Sequence, residues 1–232
     1  FSGGIVNFIP QKDVVRRICG IGIPVALQDG FIQIAFLFVT AIANQRGLVD
    51  AAAVGIVEKI ICLVFLVPSS MLSTVSAVAA QNIGAERWDR AKATLRYALI
   101  IVLGYGLVIG ISFQFCSEQV VGLFMGPDDV PTRIAGGQYL RSYIWDAALA
   151  GGHFCFSGYF CACGKSVYSF IHNVISIVIG RVPGSYILSH AYPETLYPMG
   201  CAIPAGSFLS VVVCVAFYIV IEKKLKLTAQ NE

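Results

Sequence analysis

Four places in this chain put ionisable or amide side chains inside long apolar runs. Gln28-Asp29 follows Pro24 by about one helical turn, and Gln33 lies a further turn on. Asp29 and Gln33 are an i, i+4 pair and share one helix face. Glu58-Lys59 lies about two turns into the second run. Adjacent residues point about 100° apart on a helix, so one of the two can snorkel to an interface while the other faces inward. Asp146 stands with Tyr143, Trp145 and Arg141 at the head of another run, and His153 lies two turns on at i+7, on the same face. Arg181 falls in mid-run just before Pro183, with His172 and Asn173 two turns earlier. A charged side chain in hydrocarbon costs about 2.5–3.5 kcal/mol on insertion scales, so it faces a partner or a cavity. Gln28, Asp29 and Gln33 suit a cation or proton site, or a solvated helix end. Asp146 with His153 suits a proton path, or a structural pair with Arg141. Arg181 calls for a buried acid, with Asp146 and Glu58 the candidates.

The elements that must position these groups follow from composition. The chain has 232 residues, 57% hydrophobic and 12% charged, with a mean hydropathy of +0.77. Soluble domains carry roughly 25% charged residues. A chain this apolar could not cover its own surface in water, so the expected class is an all-α polytopic membrane protein. A crossing helix takes about 20 apolar residues. Six runs meet that length, at about 18–44, 51–80, 95–116, 138–163, 167–189 and 199–221. Short connections make neighbours antiparallel, which predicts one six-transmembrane-helix bundle over 1–232. No internal repeat is visible. The opening FSGGIVNFIP has no initiator Met and no signal-peptide pattern, and is expected to belong to a longer chain.

Orientation follows from Lys and Arg in short loops. With six crossings, one side holds Lys12, Arg16, Arg17, Arg87, Arg90, Lys92, Arg96, Lys165, Lys223, Lys224 and Lys226; the other holds Arg46 and Arg133. Eleven against two places both ends on the cytoplasmic side of a cell membrane. Pro24, Pro68, Pro183 and Pro204 predict bends, tolerated where a neighbour or cavity satisfies the freed carbonyl. The small residues at 147–152 and Gly158 predict close helix approach. Most of the eight cysteines sit in apolar runs and read as small hydrophobes. Cys161-Ala162-Cys163 lacks the spacing and the second pair of a metal site, so no metal and no cofactor is expected. No catalytic triad, P-loop, GxGxxG or HExxH occurs, so neither enzyme chemistry nor a nucleic-acid partner is expected.

The polar island Gln81–Ala93, QNIGAERWDRAKA, separates two apolar runs. Gly84-Ala85 are expected to turn the chain there, and Asp89 or Glu86 to favour the next helix start. Gln81, Asn82, Gly84, Ala85 and Arg90 in this island are similar to the GQNxGA…RA loop of the multidrug and toxic compound extrusion (MATE) family. Three further stretches resemble the same half of that family. Gly22-Ile23-Pro24 through Gln28 resembles its GxPxxxQ helix. Ser157-Gly158 through Gly164-Lys165 resembles its SGxxxGxGK helix end, and Gly180-Arg181-Val182-Pro183 with Tyr186-Ile187-Leu188 its RxPxAYLL helix. The four occur in order across about Lys12 to Leu227.

The resemblance implies the second six-helix lobe of a twelve-helix, two-lobe antiporter. It would export small organic cations, drugs or metabolites, in exchange for Na⁺ or H⁺. Its partners would be membrane lipid and a first lobe of the same protein. A lipid-linked substrate flippase of the same superfamily and a non-transporting membrane scaffold are the alternatives. Two family positions depart from the pattern. Some relatives carry Glu two turns after the first proline, where this chain has Ile32. Some carry Asp two turns before the glycine matching Gly158, where this chain has Ala150.

Overall fold

The computed structural model describes residues 11–126 and 128–230, without the side chains of Arg17 and residues 224–230. The opening segment and the side chains of Arg17, Lys224 and Lys226, used above for processing and orientation, lie outside the described residues. Every regular element among the described residues is a helix. In order the elements are α1 (Lys12–Arg46), α2 (Leu48–Val64), α3 (Leu66–Gly84), α4 (Trp88–Gly122), α5 (Val130–Tyr143), α6 (Asp146–Ala162), α7 (Ser166–Ile175), a π turn (Ser176–Arg181), α8 (Val182–Ala191) and α9 (Tyr197–Gln230).

By length and composition five of these stretches can cross a membrane: α1, α2 with α3, α4, α7 through α8, and α9. The run expected over 138–163 has a different build. It is broken at Ile144-Trp145 into α5, of 14 residues, and α6, of 17. Asp129 caps α5 by accepting from the Thr132 amide at 3.3 Å. Helical ends also run further than the apolar runs did, to Trp88 and Gly122 in α4, because polar turns continue a helix that hydropathy alone truncates.

The core is organised around α6. Fourteen of its 17 residues are buried, and α3, α4, α5-bound α9 and α7 pack around it. A helix apolar or small on every side is what that position requires. Gly158 lets α3 in: a Cβ there would overlap the Leu72 carbonyl oxygen and lie 3.1 Å from both the Ser76 nitrogen and Val75 Cβ. Outside this shell, α1 packs on α2 and α7.

The bends have identifiable partners. Pro68 removes the amide that would bond the Val64 carbonyl. Tyr105 of α4 donates its hydroxyl to that oxygen at 2.8 Å. Pro24 likewise frees the Gly20 carbonyl, and Ser166 at the head of α7 donates to it at 3.0 Å. These two freed acceptors, at Pro68 and Pro24, are thus each met by a hydroxyl from a neighbouring helix, as hydrocarbon demands.

The island at Gln81–Ala93 corrects an expectation. Gly84 is the last residue of α3, and the connection is only Ala85–Arg87. The residue that turns the chain is Glu86, at φ 60°. The Arg87 amide reaches back to the Asn82 carbonyl at 2.8 Å and the Glu86 amide to Ile83 at 3.0 Å. This is a Schellman ending with Glu at the position glycine usually takes. Gly164, at φ 67°, ends α6 in the same way, with Lys165 bonded to the Phe160 carbonyl at 2.8 Å.

Candidate functional site

The buried polar groups form a seam across the bundle, built mainly by α7 and its π turn. Ser166, Ser169, His172, Asn173 and Ser176 recur at helical spacing, and all are buried. At one end Ser169 Oγ donates to Gln28 Oε1 of α1 at 2.5 Å. In the middle, His172 bridges two helices. Its Nε2 lies 2.8 Å from Ser157 Oγ on α6 and its Nδ1 lies 2.7 Å from Ser210 Oγ on α9. Hydroxyls both donate and accept, so a neutral imidazole in either tautomer is satisfied there. Further along, Ser176 Oγ donates to the Gly206 carbonyl at 2.6 Å.

The seam ends at an ion pair. Arg181 Nη2 donates to Asp146 Oδ2 at 3.1 Å and to Ser207 Oγ at 2.5 Å. The Asp146 side chain is fully buried and that of Arg181 is 9% exposed. The π turn sets the arginine's direction: the Val182 amide bonds the Ile177 carbonyl five residues back. One residue more than an α turn rotates Arg181 onto the Asp146 side, and such turns recur at functional sites. The pair leaves valences open. Among the described residues Asp146 Oδ1 and Arg181 Nε have no partner, nor do the hydroxyls of the buried Tyr139 and Tyr143 or His153 Nδ1.

Arg181 and His153 also line a cavity of about 160 Å³ between α1, α2, α3 and α6. Its walls are largely aromatic, from Phe36, Phe65 and Phe154, with Ser69 and Cys62. The His153 and His172 rings stand 5.5 Å apart, which joins cavity and seam. Ile32, the position where some relatives carry Glu, is part of this wall too. Ala150, the other departure, is buried.

The structure therefore brings together Gln28, Asp146, His153 and Arg181 along one seam, and leaves three other candidates apart. Asp29 and Gln33 are exposed on the outer face of α1. Glu58 faces α1, where Thr40 Oγ1 donates to it at 3.1 Å, and Lys59 is exposed. Arg181 pairs with Asp146 and not with Glu58. Arg141 turns away from Asp146 and meets Glu118 at 3.1 Å and Ser117 at 2.8 Å. Gln81, Asn82, Gly84, Ala85 and Arg90 serve the α3–α4 turn, and Asn82 Nδ2 donates to the Val78 carbonyl at 2.8 Å. Sequence reasoning named Ser157 only as part of a family motif and passed over Ser169, Ser207 and Ser210. The signal was available in α7, where small polar residues recur every three or four positions, yet single serines in apolar runs draw little attention. Cys155 and Cys161 are buried and Cys163 partly so, and all eight cysteines are free.

A membrane-spanning helical bundle with one buried ion pair beside a cavity has the architecture of a transporter half. The solved structures most informative here agree. A MATE in complex with MaL6 superposes with a TM-score of 0.88 at 19% identity, over 96% of this chain and 50% of that one. A MOP superfamily transporter from Pyrococcus furiosus, described as having a binding pocket of reverse polarity, gives 0.86 at 18% identity, over 99% and 50%. Among curated proteins, the probable multidrug resistance protein YoeA of Bacillus subtilis is 24% identical over 218 residues, 94% of this chain and 47% of YoeA. The chain spans about half the length of the relatives it matches. The MatE family model matches residues 24–187, and the chain belongs to that family.

Proposed function

We propose that this chain is the second lobe of a secondary antiporter that exports small organic cations in exchange for Na⁺ or H⁺. The observation that carries the reading is Asp146: a fully buried carboxylate with one oxygen paired to Arg181 and the other without a partner among the described residues. Such a group is the natural place for a coupling ion, since a proton or Na⁺ at the open oxygen competes with the arginine for the carboxylate. His153 and the cavity wall lie on the same seam, which links that exchange to the space where a substrate binds. Asp29 and Gln33 stand on the face of α1 that this bundle leaves open, and we assign them to the space between two lobes. Rocking of the lobes then presents that space to alternate sides. The bundle sits in the cell membrane with its basic side cytoplasmic, following the loop charges. No chemical step on the substrate enters this scheme.

A second reading, a flippase for lipid-linked substrates, draws on Arg181, which lines the cavity. Lys59, the other deep basic residue, is exposed and away from it. One assay separates the readings. The full-length protein in proteoliposomes is given a pH or Na⁺ gradient and a fluorescent organic cation. Gradient-driven export that Asp146→Asn abolishes, with normal insertion, supports the antiporter. Full coupling in the Asn variant removes Asp146 from the mechanism. Loss of lipid-linked substrate translocation with no cation export supports the flippase. If the protein shows neither activity, the polar groups only hold a scaffold together.

A further inference from the structure

α4 and α9 both pack on α6, and at the basic end of the bundle a groove opens between them. Its volume is about 480 Å³. One side is a single stripe of α4: Asp89, Lys92, Arg96 and Leu99 follow at i, i+3, i+7 and i+10, which lie on one helix face. The floor is Phe156 of α6, and the far wall is Val215 and Tyr218 of α9. Charge gives way to hydrocarbon along that stripe in the order a lipid leaflet presents them.

We propose that this groove binds an anionic phospholipid, its phosphate held by Arg96 and an acyl chain lying over Leu99, Phe156 and Val215. The charges support the assignment. Glu222 is already engaged, because Lys92 pairs with it and Tyr159 donates to it at 3.1 Å. Arg96 has no carboxylate partner among the described residues; its guanidinium lies 5.3 Å from the centre of the exposed Tyr97 ring. Asp89, the one acid in the wall, stands about 10 Å further out along the helix than Arg96, seven residues at ~1.5 Å each. Lys92, about 6 Å from Arg96 by the same rise, is held by Glu222, which leaves Arg96 as the cation for the phosphate. Tyr218 lines the same groove, with its ring against Tyr159 and Phe156 at 5.6 and 6.0 Å. An aromatic residue at headgroup depth and basic residues between helices are how membrane proteins select anionic lipids. A zwitterionic lipid would fill the same apolar groove but bring its own cation to Arg96.

The test is a titration of the full-length detergent-solubilised protein, read by thermal unfolding and by native mass spectrometry. The probes are dioctanoyl phosphatidylglycerol, dioctanoyl phosphatidylcholine and inorganic phosphate. The expected result is at least roughly fivefold tighter binding of the glycerol lipid than of the choline lipid. Arg96→Gln removes that preference, and Val215→Trp, which fills the groove, weakens both lipids. Arg96 is exposed and Val215 is 40% exposed, so neither change disturbs the core. Arg133→Gln, at the opposite end, leaves binding unchanged. Equal affinity for both lipids overturns the proposal, as does an undiminished preference in Arg96→Gln. A shift produced by inorganic phosphate alone, equal to that of the lipid, also overturns it by assigning the site to a free anion.

Discussion

Gly180 and Gly206 cross backbone to backbone. A Cβ on Gly180 would lie 2.7 Å from Gly206 Cα, and a Cβ on Gly206 would lie 2.5 Å from Arg181 Cγ and 3.1 Å from its nitrogen. The π turn and α9 can therefore approach only as glycine surfaces. That approach lets Ser176 reach the Gly206 carbonyl and Arg181 reach Ser207. Gly206→Ala must displace Arg181 or part the helices. The expected cost is about 1–3 kcal/mol, as for other overpacked sites, read as a lower unfolding temperature of the purified protein. Gly104→Ala, where a Cβ meets nothing within 4 Å, is the control and is expected to be neutral or slightly stabilising.

Asp146 and Arg181 are predicted to be coupled in stability. Removing either charge leaves the other buried and unpaired, a loss of about 3–5 kcal/mol. Asp146→Asn and Arg181→Gln should each lower the unfolding temperature markedly, while the double variant recovers most of the loss. A double variant as unstable as the sum of the singles would show that the two groups are not partners. Transport should stay lost in the double variant, because restoring neutrality does not restore a titratable carboxylate.

His172 ties α6, α7 and α9 together through Ser157 and Ser210. His172→Phe keeps the ring volume and removes both bonds, stranding two buried hydroxyls at a combined cost of about 2 kcal/mol. Adding Ser157→Ala and Ser210→Ala removes the stranded groups, so the triple variant should unfold at a higher temperature than His172→Phe alone. Thermal unfolding followed by labelling of the buried thiols Cys155, Cys161 and Cys214 reads the difference. A triple variant that is less stable still would mean the hydroxyls have other partners that matter more.

The sequence made the helical membrane class plain, because 57% hydrophobic residues in long runs admit little else. It also pointed to Arg181 needing a buried acid, since an unpaired guanidinium in hydrocarbon is too costly. Which acid was not decidable: Asp146 and Glu58 are equivalent until the π turn rotates Arg181 toward one of them. The break at Ile144-Trp145 was hidden for a similar reason, as hydropathy records burial and not backbone geometry. Gln28 and Asp29 are neighbours in sequence, yet only Gln28 is buried. The packing of α1 on α7 decides that, and it is a tertiary fact. The serines of the seam were legible as a period of three to four but look neutral one at a time.

Glu86 offers the sharpest local test, because its backbone strain is visible in the fold alone. At φ 60° a residue with a Cβ is disfavoured, and glycine is the usual occupant of this helix ending. The side chain is exposed, and the two amide bonds that close the turn come from backbone alone. Glu86→Gly is therefore expected to stabilise the protein by about 0.5–1 kcal/mol, after the larger unfolded-state entropy of glycine is subtracted. Glu86→Ala keeps the strain and should change little. If alanine stabilises as much as glycine, the gain comes from removing a charge beside Asp89 and not from the backbone. Measured as unfolding temperatures of the two variants side by side, the comparison also reports whether the α3–α4 turn holds its left-handed residue in the intact protein.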